Sequence, residues 1–170
     1  MELVKQLREW LAGAEKVVVL GVGNPLRRDD AVGLAVARRL KELGADAIEG
    51  VCVLEAGSAP ENLLGKVVSL KPSHVIIVDA AAHGSRPGSI RLIRPGDARS
   101  AHLVSTHTLP LGFLCSYIER EARSRIIVIG IQPADIGLGE GLSPEVDLAA
   151  RELAKLLYEL LASRRPKCST

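Results

Sequence analysis

Leu3, Leu7, Trp10 and Leu11 share one helical face and give way to Gly13, which predicts a short amphipathic first helix. Val17 to Val22 is an unbroken apolar run, the pattern of a strand buried on both faces. From Asp30 to Leu43 the apolar residues Val32, Val36, Leu40 and Leu43 recur at helical spacing, and Gly44 follows as a stop. Val51 to Leu54 reads as a second strand and Pro60 to Leu64 as a helical turn. Val75 to Val78 is a third strand, closed by Asp79. Ser89 to Ile93 alternates between Pro87-Gly88 and Pro95-Gly96, as an edge strand does. Leu111, Leu114, Ile118 and Ala122 mark another helix, and Ile126 to Ile131 a fifth strand. Ser143-Pro144 opens a long last helix that carries Val146, Ala149, Leu153, Leu156 and Leu160 on one face.

Strands that alternate with helices predict an α/β fold: a three-layer sandwich, with a mostly parallel twisted sheet of about five strands and helices on both faces. No repeat, low-complexity block or linker divides the chain, so residues 1–170 read as one domain, with 1–13 an N-terminal helix and 164–170 a loose tail. A chain of 170 residues is long enough for one sizeable core. Aromatics make up 2% of it, so that core has to be aliphatic. The net charge of +2 and the lack of aromatic stacking platforms argue against a nucleic-acid partner. Cys52, Cys115 and Cys168 form no paired or clustered motif, which favours free thiols in a reducing cytoplasm. No signal peptide is expected from the charged Met1–Leu11 segment, and no apolar run is long enough for membrane insertion.

In a parallel sheet, functional groups gather at the carboxyl ends of the strands. Three features of this sequence converge there. Asp29-Asp30 follow the first strand, Asp79 closes the third, and His107 precedes a helix. Two carboxylates and one imidazole suit a divalent transition metal with open coordination positions. Each residue also has a plainer reading. Asp29 fits a helix cap, and Asp30 is favoured by the helix dipole. His107 fits an ordinary helix-start histidine. A carboxylate at the end of a buried strand, as at Asp79, is costly unless it is paired or coordinated. His74, His83 and His102 read as surface histidines. The Gly21-Val22-Gly23 turn departs from the dinucleotide-binding pattern, because Leu26 stands where the third glycine belongs. Two acids at that helix start would also repel a phosphate. The glycines fit a sharp turn and close backbone approach instead. Ser58 or Ser105 with His107 lacks the nucleophile elbow of a serine hydrolase.

Several ordered blocks resemble those of the hydrogenase maturation endopeptidases. They are Gly21-Val22-Gly23-Asn24 with Asp29-Asp30 and Gly33, Gly57 to Asn62, Val78-Asp79-Ala80, Ser105 to Leu111, and Gly130 to Pro133. The likeness runs from about Val17 to about Leu160 and is greatest to the branch that serves formate-hydrogenlyase-type and related membrane-bound hydrogenases. It implies a protease that removes the C-terminal extension of the large-subunit precursor of a nickel-iron hydrogenase. It also implies that Asp30, Asp79 and His107 are the catalytic and metal-contacting residues. The metal would be nickel already loaded in the precursor, not a permanent cofactor. The cut would follow a His or Arg near the precursor's C-terminal cysteine motif. Other members carry Asp-Gly-Gly-Thr where this chain has Glu55-Ala56-Gly57-Ser58, a loop expected to line the substrate cleft. Cleavage by metal-activated water, by a carboxylate general base with nickel as positioner, or by an aspartic dyad all fit the residues; the second is favoured. Two other classes remain open on the residues alone. One is a metal-sensing, chaperone-like binding module without a hydrolytic step, and the other a nucleotide-binding α/β enzyme.

Overall fold

The computed structural model describes residues 1–96 and 110–166. Its strands are β1 (Val17–Val22), β2 (Val51–Gly57), β3 (His74–Ala80), β4 (Ile90–Ile93) and β5 (Arg125–Ile131). Its helices are α1 (Glu2–Trp10), α2 (Val32–Glu42), α3 (Leu64–Ser69), α4 (Leu111–Ala122) and α5 (Pro144–Ser163). The order across the sheet is β2-β1-β3-β5-β4. The first four of these are parallel, and β4 runs antiparallel along one edge. The expected three-layer α/β sandwich is therefore the observed one.

Each central strand feeds two cores. Val17, Val19, Ile76, Val78, Ile127 and Ile129 point to the layer that includes α2 and α5. Val18, Leu20, Val75, Ile77, Ile126 and Val128 point to the layer that includes α4. This two-sided burial is why the strands read as continuous β-branched runs rather than as alternating ones.

The chain leaves β1 toward β2 on one side and toward β3 on the other. That reversal makes the gap between β1 and β3 the switch point of the sheet, where α/β folds place their sites. Helix α2 enters the gap at very close range. A Cβ added to Gly33 would lie 2.2 Å from both the Val22 and the Val78 carbonyl oxygens, and one added to Gly21 would lie 2.4 Å from the Gly33 carbonyl oxygen. Two glycines thus let the helix rest directly on the backbone of two strands. Gly33→Ala is expected to lower the stability by about 3 kcal/mol, because the obstacle is backbone and cannot turn aside. Urea unfolding with an unchanged m-value would measure it.

Several expectations change. The helix foreseen from Asp30 begins with a 3-10 turn, Arg28–Ala31, and becomes α-helical only at Val32. His74 is not at the surface. It is 5% exposed, its Nδ1 lies 2.8 Å from the Ser73 hydroxyl, and Trp10 meets it edge-on with ring centroids 4.8 Å apart. Burial first, and then the neighbouring Arg125 charge, hold its pKa below the usual histidine value. Of the tail expected at 164–170, the first part is tied down. Arg164 donates to the carbonyls of Leu161, Glu15 and Glu49, and Pro166 bridges to Gly13. Cys115 is buried and Cys52 half-buried. Cys168 and His102 lie outside the described residues.

Candidate active site at the carboxyl rim of the sheet

Asp30 and Asp79 are each 3% exposed. Asp30 belongs to the 3-10 turn that follows β1, and this turn packs against β3. Asp79 lies in β3 itself, one residue beyond the Val78 carbonyl on which Gly33 rests. Two carboxylates from distant parts of the chain are thereby brought to one rim at the switch point.

Both are held by local backbone. The Asn24 amide donates to Asp30 Oδ2 at 3.0 Å, and the Asn24 side chain accepts from the Leu26 amide at 2.9 Å, which shapes the turn. The Ala80 amide donates to Asp79 Oδ1 at 2.8 Å. Amide donors suit ionised carboxylates, because they replace part of the water lost on burial. Asn24 was not singled out from the sequence as a contact of Asp30. The bond to Asp30 comes from the Asn24 backbone, so no side chain in the sequence signals it.

His107 lies outside the described residues, as does the Ser105–Leu109 block around it. Among the described residues no group of three His, Cys, Asp or Glu gathers as a metal site. The described part of the expected triad is thus its two oxygen donors.

Asp29 does not cap a helix. Its buried carboxylate reaches across to the segment after β5. Oδ2 accepts from the Ala134 and Asp135 amides at 2.9 Å and from the Ser143 hydroxyl at 2.8 Å, while Oδ1 accepts from the Ser143 amide at 2.7 Å. Burial pushes its pKa up, but the bonds from Ser143, Asp135 and Ala134 outweigh this and hold it below the usual aspartate value. The doubled acid is therefore two separate devices. Asp29 ties the loop after β1 to the loop before α5, and Asp30 faces the rim.

Glu55, at the end of β2, is paired with the neighbouring helix. Its carboxylate is engaged by α2, with Arg38 Nε at 2.5 Å and Lys41 Nζ at 3.5 Å. The Arg38 hydrogen bond is the main reason its pKa falls below the usual glutamate value, and it outweighs partial burial. His83, expected at the surface, is half-buried. Its amide donates to Gln132 Oε1 at 2.7 Å, joining the loops after β3 and β5. Neither ring nitrogen is open to solvent or hydrogen-bonded among the described residues. Burial first, and then Arg91, lower its pKa and favour the neutral ring.

A hollow of about 360 Å³ adjoins the rim, lined by Pro25, Ala31, Ala35, Arg38, Glu140 and Leu142. A larger one of about 860 Å³, around Lys16, Gly50, Leu70 and Arg164, lies at the opposite end of the sheet. It holds neither carboxylate, and the chemistry points to the rim.

Known proteins resemble this chain in both sequence and fold. The family described as hydrogenase maturation protease matches residues 34–160. A putative hydrogenase maturation protease of Methanocaldococcus jannaschii is 30% identical over 162 residues, covering 92% of this chain and 95% of that protein. The hydrogenase 3 maturation protease of Escherichia coli K12 is 36% identical over 121 residues, covering 71% and 74%. The crystal structure of a nickel-iron hydrogenase maturation protease, HycI, from Thermococcus kodakarensis superposes with a TM-score of 0.83 at 38% identity, over 92% of this chain and 98% of that one.

Proposed function

The chain belongs to the hydrogenase maturation protease family, and on that premise we propose that it removes the C-terminal extension of a nickel-iron hydrogenase large-subunit precursor, sensing the precursor's nickel through Asp30, Asp79 and His107. The observation that carries this reading is the pair of buried carboxylates, Asp30 and Asp79, set at one rim by different strands. Two carboxylates brought to one rim are oxygen donors that can hold a divalent ion arriving with the substrate.

In this mechanism the nickel is part of the substrate. Asp30 and Asp79 hold the precursor by its metal and so fix the scissile peptide against the rim, and His107 completes the set. One carboxylate then takes a proton from water as the water oxygen attacks the scissile carbonyl carbon. The C–N bond breaks, and the proton passes to the departing amine. The Asn24 amide, bonded to Asp30 Oδ2, orients this carboxylate at the rim. No described helix is long and apolar enough to cross a membrane.

The test is incubation with a hydrogenase large-subunit precursor, nickel-loaded and nickel-free, followed by mass spectrometry of the precursor. The expected result is loss of the C-terminal extension from the loaded form alone. A loaded precursor that stays full length would refute the proteolytic role on this substrate and favour a binding module. Equal cleavage of both forms would refute nickel sensing.

A further inference from the structure

A protease whose substrate is a folded protein needs a surface that recognises the body of that protein. The exposed apolar residues are distributed unevenly here. Among the described residues the exposed large hydrophobics are Met1, Leu26, Leu43, Phe113, Leu138 and Leu148. Leu43 follows α2 at the far end of the sheet, and Met1 precedes α1. The other four stand on loops and helix starts at the carboxyl rim, beside Asp30 and Asp79.

Two of these four are mounted on a rigid ledge. Leu26 is 59% and Leu138 76% exposed. The Gly139 amide donates to the Leu26 carbonyl, and the Arg28 amide to the Gly139 carbonyl, both at 2.9 Å. The Asp29 amide donates to the Asp135 carbonyl at 3.0 Å, in addition to the carboxylate bonds already described. The Arg28 guanidinium lies flat against Gly139, where a Cβ would come within 2.9 Å of it. The same guanidinium pairs with Asp135 at 3.6 Å. So many bonds between two short loops leave little freedom to lose on binding, which is what makes an exposed apolar anchor effective. The third anchor is Phe113, 61% exposed in the first turn of α4. It is the chain's one phenylalanine. In a protein so poor in aromatics, placing it outside the core forgoes burial, and aromatics are the residues most enriched at interface hot spots.

We propose that the Leu26–Leu138 ledge and Phe113 form a docking surface for the folded body of the precursor, a protein with an apolar patch beside its extension; this rests on the function proposed above. The ledge lies over the sheet face covered by α2 and α5, and Phe113 over the face covered by α4. Layers packed on opposite faces of one sheet stand roughly 20 Å apart, twice the ~10 Å spacing of adjacent layers. An extension that enters between the two sides, toward Asp79, does not lie across them, whereas the folded surface from which it emerges spans both.

The test is equilibrium binding of the full-length precursor, and of a synthetic peptide of its extension alone, to the wild-type chain and three variants: the double change Leu26→Asp with Leu138→Asp, Phe113→Asp, and Leu43→Asp as the control at the far end. The expected result is precursor binding weakened at least tenfold by the first two and unchanged by the third, with all melting temperatures close to wild type and peptide binding unaffected. Unchanged precursor affinity in the first two variants would overturn the docking surface, as would a wild-type chain that does not bind the precursor. Equal losses for peptide and precursor would overturn the assignment to the folded body. Ledge-dependent binding without cleavage by wild type would leave the docking surface standing and refute the proteolytic reading.

Discussion

Asp79→Asn is expected to lower the rate of precursor processing on the order of 10³-fold, the scale of losing a positioned acid–base or charge-holding group, while the protein stays folded. A thousandfold is about 4 kcal/mol of transition-state stabilisation. The contrast between activity and stability follows from the local geometry. Asp79 Oδ1 accepts the Ala80 amide at 2.8 Å, and an asparagine oxygen accepts the same bond. The substitution is nearly isosteric and opens no cavity, so the urea midpoint should stay near that of wild type. What is lost is the charge that would meet the substrate's metal or take up its proton. Asp30→Asn should behave alike, because the Asn24 amide finds an acceptor in either side chain. Single-turnover cleavage of a nickel-loaded precursor, with denaturant unfolding of the same preparations, measures both quantities. Processing within tenfold of wild type by both variants would remove the carboxylates from the mechanism.

The strands were legible because each is a run of β-branched residues buried on both faces, a pattern that needs no partner to be recognised. Asp79 was legible for a related reason: a charge at the end of such a run has a cost that demands an explanation. The meaning of Gly33 was not, since nothing local to it indicates that the Val22 and Val78 carbonyls will lie where a methyl group would be. His74 and His83 beside turn residues looked exposed. The fold covers the first with Trp10 and encloses the second between the loops after β3 and β5. The partners of Glu55, two cations on α2, are brought close only by packing. In each case the deciding neighbour is remote in sequence, and periodicity carries no information about it.

Asp29 is the extreme of this, and its substitution should have the largest effect on stability. Its partners lie 105 to 114 positions further along the chain. Asp29→Ala is expected to cost about 3–5 kcal/mol, because it removes the buried carboxylate to which three amides and a hydroxyl of another loop are bonded. Asp29→Asn should cost somewhat less. One of its terminal atoms is a donor and would face amide donors in place of the oxygen that accepted them. The pH dependence separates this role from a catalytic one. The folded-state pKa of Asp29 is held below the ordinary aspartate value of 3.8. Its contribution is therefore fully present above that value and disappears as pH falls through the lower, folded-state pKa. Wild type should lose stability over that acid range faster than Asp29→Asn does, so that the two unfolding midpoints converge as pH drops. Near neutral pH and well below its melting temperature, the variant should keep most of its kcat, since Asp29 faces the loop before α5 and not the rim, while the loosened ledge raises its KM for the precursor. A variant as stable as wild type at neutral pH, or a gap between the two that persists below the folded-state pKa, would show that the carboxylate does not hold these loops together. The rigidity claimed for the Leu26–Leu138 ledge would then lose its main support.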